Sequence, residues 1–450
     1  MKIMGAPGVI ISAPSSGSGK TSVTLGVLRA LSRRGLTVGS AKVGPDFIDP
    51  AFHAAASGQS CFNLDGWAML PATLAGLAAR VGDGVDLVVC EGVMGLFDGA
   101  LTAPGQPDGS TASLALATGW PVVLVLDGRG MIASAAAVLA GFDRLRPGPG
   151  LAGVVFNRVR SSRAQAAIEA ACRAACPDVA LLGFLPPSPA LEMKSRHLGL
   201  VQACERPDLD AFLEGAAALV ETHLDLDSLC ALARPARIAA AAPVPVPPLG
   251  QRIALAHDAA FAFAYPATLE GWRAAGAEIL PFSPLADQGP DPSADAVYLP
   301  GGYPELHAGL LAANGGFLGG LRAAAARGAA VFGECGGYMV LGRGIEDETG
   351  TRHQMAGLLG LESSFARRRL HLGYRRAVVE TAGPLGAAGA IFRGHEFHYA
   401  TILAEEGTPL FAVSGADGAG LGRCGLCASG TVAGSFVHLI DRDVDSVTLP

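Results

Sequence analysis

A chain of 450 residues, half of them apolar, 16% charged and with a net charge of −7, is not a disordered polyelectrolyte. The same balance argues against a general nucleic-acid or membrane-surface binder. Its length exceeds one ordinary core and predicts two domains, while nine scattered cysteines fit a reduced cytoplasmic protein better than a disulfide-stapled one.

The opening MKIMGAPGVIIS has too brief an apolar part for a signal peptide. The most apolar stretch, near 112–126, is broken by Gly119-Trp120-Pro121, so no membrane-spanning helix is expected. Gly8-Val-Ile-Ile-Ser12 reads as a buried strand and VTLGVLRALSRRG as a helix. Between them lies Ala13-Pro14-Ser15-Ser16-Gly17-Ser18-Gly19-Lys20-Thr21-Ser22. Strand, Gly-x-Gly-Lys-Thr loop and helix together predict a phosphate-binding loop for ATP. Backbone N–H groups of Ser16, Gly17, Gly19, Lys20, Thr21 and Ser22 would cradle phosphates, Lys20 would reach the β and γ oxygens, and the Thr21 hydroxyl would ligate Mg²⁺. Pro14 stands near where the motif's first glycine falls, which leaves the loop's first turn unassigned.

A second strand, Thr37–Val43, ends in Gly44-Pro45-Asp46-Phe47-Ile48-Asp49-Pro50. Asp46 and Asp49 either hold a metal or substrate at the strand's carboxyl end, or serve as turn and helix-cap residues. A third strand, Val85–Cys90, runs into Glu91, an acid placed to ligate a metal or its water behind a phosphate loop. Two further strands end at Asp127 and Asn157, each followed by an Ala-rich helix, so the sheet is expected to be parallel. Asn157 either reads an adenine edge or forms a turn. In the proline-rich connector 181–200, Glu192, Lys194, Arg196 and His197 either face a cleft or form a solvated cluster. Residues 234–250 read as a Pro/Ala linker between a domain spanning 1–233 and another spanning 251–450.

The second domain begins with a strand, Arg252–Ala256. Ala296-Val-Tyr-Leu-Pro-Gly-Gly-Tyr-Pro-Glu305 is a strand ending in a turn, where N–H groups of Gly301, Gly302 or Tyr303 are placed to stabilise an oxyanion. In Val331-Phe-Gly-Glu-Cys335-Gly-Gly-Tyr-Met339, glycines two before and two after the cysteine predict a nucleophile elbow with Cys335 at its apex. The following helix start is expected to favour the thiolate. A thiol needs a base, and His438, at the tip of a late strand in GSFVHLI, is the best placed histidine. Cys424-Gly-Leu-Cys427 lacks a second pair for a metal site. Arg367–Arg369 with Arg375 and Arg376 reads as a solvated face, with steering of a polycarboxylate as the other reading.

Taken jointly, SSGSGKTS, KVGPDFIDPAFH, CEGVMGLFDG, RHLGL, LPGGYPE, FGECGGYMVLG, RGHEFHYA and GSFVHL make the chain resemble the cobyrinic acid a,c-diamide synthase family nearly end to end. The resemblance implies an α/β protein with an N-terminal parallel-sheet ATPase domain of the dethiobiotin-synthetase type. It implies a C-terminal class I-like glutamine amidotransferase domain. Glutamine would be hydrolysed at Cys335 with His438 as base. The ammonia would then amidate the a- and c-acetates of a corrin ring after ATP has phosphorylated them. Asp46, Asp49 and Glu91 match family acids implicated in metal binding and catalysis, and Phe47 and Ile48 fall where substrate-orienting residues sit. Ordinary class I amidotransferases carry a glutamate two residues after the histidine. Here His438-Leu-Ile440 has none, which implies a dyad. Cobyric acid synthase and sirohydrochlorin a,c-diamide synthase share both domains, although the GPDFIDP loop favours the a,c-diamide group. A partitioning-type ATPase switch would carry a lysine where this chain has Ser15. The motifs leave open whether the ring is metal-free hydrogenobyrinic acid or cobyrinic acid, and a homodimer is one assembly compatible with them.

Overall fold

The computed structural model describes residues 5–102, 105–145, 150–193, 195–196, 199–238 and 246–443. The chain divides into two compact units. One comprises Met1–Trp67, Pro71–Gly99 and Gln106–Pro243, the other Val244–Pro450 with Ala68–Leu70 and Ala100–Gly105.

In the first unit, β1 (Pro7–Ser12) lies inside a sheet with β2 (Val38–Val43), β3 (Cys61–Leu64), β4 (Leu87–Glu91), β5 (Val122–Asp127), β6 (Leu151–Asn157) and β7 (Ala180–Phe184). The order is β3-β2-β4-β1-β5-β6-β7, and these seven strands are all parallel. Parallel neighbours require crossover connections, and helices on both faces explain why β1, β2 and β4 are buried almost throughout. The chain moves from β4 on one side of β1 to β5 on the other, so a crevice opens at the carboxyl ends there. The loops after β1, β2 and β4, and Asn157 at the end of β6, all fall at that edge. Helix α1 (Lys20–Arg33) follows β1 and buries most of its surface. A Cβ at Gly26 would meet Val220 at 2.6 Å and the Ala216 carbonyl at 2.9 Å, so this glycine lets α1 press against the Leu209–His223 helix.

The second unit has a ten-stranded mixed sheet. Five strands, Glu278–Phe282, Arg252–Ala256, Ala296–Leu299, Ala330–Glu334 and Val432–Ser435, are parallel neighbours in that order. Antiparallel strands Gly420–Ala428, Thr408–Ser414, His371–Val379, Ile391–His398 and Val437–Asp443 extend it. The core around Phe261, Phe317, Leu321, Val331 and Tyr338 is buried to within a few per cent of complete exclusion. The α/β architecture expected from the motifs is the one observed in both units.

Candidate active sites

The turn between β1 and α1 is built on two glycines in the left-handed region, Gly17 at φ 83° and Gly19 at φ 90°. Gly19 is the motif's own glycine before Lys20, and Gly17 adds a second bend that only glycine makes without strain. A Cβ on Gly19 would lie 2.2 Å from the Asn157 amide nitrogen. That nitrogen donates to the Ser18 carbonyl at 3.0 Å. Asn157 therefore braces the phosphate loop through its amide nitrogen, and it also lines the cavity beside that loop. Arg158 donates to the Gly17 carbonyl at 2.9 Å, and the Ser18 hydroxyl closes the loop on the Ser15 carbonyl at 3.0 Å. The Ser22 hydroxyl donates to the Leu191 carbonyl at 2.6 Å, tying α1 to the connector.

Behind the loop lies a buried charge network. The Thr21 hydroxyl donates to Glu91 Oε1 at 2.6 Å, which also accepts from Lys42 Nζ at 3.1 Å. Glu91 Oε2 pairs with His53 Nε2 at 2.7 Å, and His53 Nδ1 lies 3.5 Å from the Cys61 sulfur. Lys42 also meets Asp49 at 2.6 Å. Burial disfavours charge on Lys42, but Asp49 and Glu91 outweigh it and hold the ammonium far above its ordinary range. Burial likewise opposes ionisation of Glu91, yet Lys42, His53 and Lys20 pull its carboxyl well below the usual range. His53 is raised to about 10 against burial, by Cys61 and Glu91. Burial and the nearby Asp46 push the Asp49 carboxyl upward, against Lys42.

The network bears on the metal. Both Glu91 oxygens are committed inside the protein and the residue is fully excluded from solvent. Direct ligation by Glu91 does not fit; it grips the Thr21 hydroxyl, whose oxygen is left for a cation. Asp46 Oδ1 accepts from the Ile48 and Asp49 backbone N–H groups at 2.7 and 3.0 Å, the turn-and-cap geometry. Asp46 nevertheless lines the cavity of about 730 Å³ that Gly17, Lys20, Thr21 and Asp49 also line. Phe47 and Ile48, between Asp46 and Asp49 in the chain, are half-buried and are not among the residues lining that cavity. Burial, helped by Lys42, lowers the Lys20 ammonium to about 8, and its Nζ donates to the Met94 carbonyl at 3.2 Å. Glu192 reaches the cavity wall, while Lys194 and His197 lie outside the described residues and only the backbone of Arg196 is described. Lys42 and His53 went unread in the sequence. A lysine inside an apolar strand, and a histidine one helical turn beyond Asp49, were the signals available.

In the second unit Cys335 has φ 47° and ψ −104°, an unusual backbone for a non-glycine residue and the mark of a sharp elbow. A Cβ on Gly337 would sit 2.0 Å from the Leu299 carbonyl, so the helix can turn back only on glycine. A Cβ on Gly301 would meet the His438 ring at 2.4 Å, and one on Gly336 would lie 3.1 Å from the Gly302 nitrogen. The turns at Gly301, Gly302 and Cys335 therefore meet at the carboxyl ends of the adjacent strands Ala296–Leu299 and Ala330–Glu334, and His438, near the start of Val437–Asp443, lies against Gly301. The Gly336 N–H at the helix start favours the thiolate, but burial outweighs it. That helix, Gly336–Leu341, has six residues. Burial, followed by the nearby Glu305, pushes the Cys335 thiol far above its ordinary range, and the Gly336 N–H opposes this only in part.

Glu334, beside the nucleophile, was also missed. Its Oε2 lies 3.7 Å from His438 Nδ1 and accepts from the Tyr298 hydroxyl at 2.9 Å. Its Oε1 accepts from the Leu439 N–H at 3.1 Å. In the RGHEFHYA run, Glu396 and His398, together with His371 from the paired strand His371–Val379, each bring a ligand atom within 4.8 Å of the others. Glu396 is already bound by Arg375 at 2.7 Å and His398 at 2.9 Å, so the run acts as a charge-paired brace. Arg376 pairs with Asp443 at 3.2 Å. Cys424 faces Ser435 and Cys427 the Ala382 carbonyl, and both thiols are free.

A phosphate loop on a parallel sheet and a cysteine elbow with a histidine define a nucleotide-binding domain joined to a glutamine amidotransferase domain. Accordingly, residues 9–201 match the CobQ/CobB/MinD/ParA nucleotide binding domain and residues 252–444 the CobB/CobQ-like glutamine amidotransferase domain. The chain is 53% identical over 436 residues to hydrogenobyrinate a,c-diamide synthase of Rhodobacter capsulatus, covering 97% of this chain and 99% of that one. The proteins of the same name from Brucella anthropi and Mesorhizobium japonicum are 52% and 51% identical, covering 96% and 98% of this chain and 98% and 99% of theirs. The chain belongs to the hydrogenobyrinate a,c-diamide synthase family. No helix among the described residues is long and apolar enough to cross a membrane.

Proposed function

We propose that this protein converts the a- and c-acetate carboxylates of hydrogenobyrinic acid, a metal-free corrin, to amides with ATP and glutamine, in cobalamin biosynthesis. The observation that carries the reading is the strained Cys335 elbow beside Gly301 and His438, in a chain whose relatives match it end to end under that name. Cys335 would give its proton to His438, and the thiolate would attack the glutamine side-chain carbonyl. The carbonyl electron pair would move to an oxyanion held by the Gly301 and Gly302 N–H groups. Collapse would expel ammonia, which takes the proton from His438, and water would release glutamate from the thioester.

In the first unit Lys20 would orient the γ-phosphate and Ser16, Gly17, Gly19 and Ser22 would present backbone N–H groups to the phosphates. Thr21 and Asp46 would hold Mg²⁺, with Glu91 acting through Thr21. Bound Mg²⁺ would neutralise charge on the phosphate oxygens. A ring carboxylate, oriented by Phe47 and Ile48, would attack the γ-phosphorus and expel ADP. The acyl phosphate then has a leaving group that ammonia can displace. Asp49 would serve by anchoring Lys42. All nine cysteines are free, which supports a cytoplasmic location where ATP and glutamine are present. The net charge of −7 supports partners other than nucleic acid.

Mass spectrometry of hydrogenobyrinic acid and cobyrinic acid, each incubated with protein, Mg-ATP and glutamine, tests this. Conversion of two carboxyls to amides, faster on the metal-free ring, is expected. Glutamine hydrolysis with no change in either ring would point to another tetrapyrrole such as sirohydrochlorin.

A further inference from the structure

We propose that Glu334 is the positioning residue of the glutaminase site, its carboxylate holding His438 through Nδ1 so that Nε2 takes the Cys335 proton. This rests on the reading of Cys335 and His438 given above. The residue lies immediately before the nucleophile, not two positions after the base.

Three links converge on this one side chain. Glu334 ends the nucleophile's own strand, Ala330–Glu334. Its Oε1 accepts from the N–H of Leu439, the residue next to His438 on Val437–Asp443. Its Oε2 accepts from Tyr298, on the strand that leads into Gly301 and Gly302. Nucleophile, base and oxyanion turn are thus tied to a single buried carboxylate.

The remaining contact, 3.7 Å from Oε2 to His438 Nδ1, is longer than a hydrogen bond. Catalytic contacts are often long in a ligand-free enzyme and tighten in the complex with substrate. Cys335 is buried and a poor acid, so the imidazolium formed when Sγ–H breaks and Nε2–H forms needs a counter-charge. His395 pairs with His438 across the strands, but burial and His438 lower it to about 3. It stays neutral and does not substitute. Glu305, Glu396 and Arg375 are the other charged groups around Cys335 and His395.

Glu334→Gln is the decisive variant, because the amide keeps an acceptor for Leu439 and a partner for the Tyr298 hydroxyl while removing only the charge. Glutamate release by the full chain should fall about 10- to 100-fold, within what a well-placed base contributes. The acid limb of kcat/KM for glutamine should move down by about one pH unit or more. Amidation driven by added ammonium should be unchanged. Glu334→Asp should keep the limb near its parental position with reduced kcat.

Wild-type glutaminase in Glu334→Gln overturns the proposal, and so does a slow enzyme whose limb has not moved, since that marks a scaffold role only. Should Glu334→Gln fail to fold, Glu334→Asp decides: a limb displaced as far as loss of charge would displace it overturns the idea. Glutaminase surviving in Cys335→Ala would instead sink the reading on which the proposal rests.

Discussion

Lys42 occupies a strand in which every residue is buried, and its ammonium balances Asp49 at 2.6 Å and Glu91 at 3.1 Å. Lys42→Ala leaves Asp49 without its cation and Glu91 with only His53 and Lys20 to balance it in a low-dielectric interior, and should destabilise the first unit by roughly 3–5 kcal/mol. Urea denaturation followed in the full chain measures this, and a midpoint equal to the parent's would mean that water replaces the ammonium. Lys20 behaves differently because it faces the cavity. Its pKa, lowered to about 8 by burial and Lys42, leaves the nucleotide-free enzyme carrying an ammonium below that pH and losing it above. The ammonium is the form that attracts phosphate, so kcat/KM for ATP should fall about tenfold per pH unit above pH ~8. A flat profile up to about pH 9.5 would show that the free Lys20 stays charged.

At the scale of elements, the parts legible in the sequence are those whose residues are contiguous. The β1–loop–α1 unit and the Cys335 elbow each fit within a short run, where glycine spacing and a change of hydrophobic period mark the turn. The charge network was not legible, because Lys42, Asp49, His53 and Glu91 come from β2, the helix Asp49–Ser57 and β4, and only the sheet order makes them neighbours. Glu334 was hidden for the same reason: its partners lie on strands 36 and 105 positions away. The region 343–430 offered short runs such as RGHEFHYA but no strand rhythm, and its antiparallel strands close on one another through backbone pairing that composition does not encode. Elbow geometry has its own test. Gly337→Ala pushes a Cβ to 2.0 Å from the Leu299 carbonyl, whereas at Gly350, φ 83°, a Cβ meets nothing within 4 Å. Gly337→Ala should cost roughly 1–3 kcal/mol or more through overpacking, and Gly350→Ala about 1–2 kcal/mol through backbone strain alone. Thermal melting of both variants, with glutaminase as a second readout, separates the cases. Only Gly337→Ala should also lose glutamine hydrolysis.

For the whole molecule, the proposed function gives the two units separable chemistry: one would generate ammonia, the other would consume ATP and ammonia. Each set of proposed catalytic side chains belongs to its own compact unit. Removing one nucleophile should therefore silence one half-reaction without touching the other. Cys335→Ala should abolish glutamine-dependent amidation and leave ammonium-dependent amidation near the parental rate. Lys20→Ala should abolish amidation from either nitrogen source, because without the γ-phosphate contact no acyl phosphate forms and free ammonia has no leaving group to displace. Measuring amide formation with glutamine and then with ammonium salts, at a pH high enough to supply NH₃, distinguishes these outcomes in one set of reactions. If ammonium failed to rescue Cys335→Ala although its melting curve matched the parent's, the cysteine would have a role in the synthetase half-reaction, and the division of labour would be wrong. Glutamine-driven turnover retained by Lys20→Ala would have a different consequence, since activation of the carboxylate would then not depend on the phosphate loop.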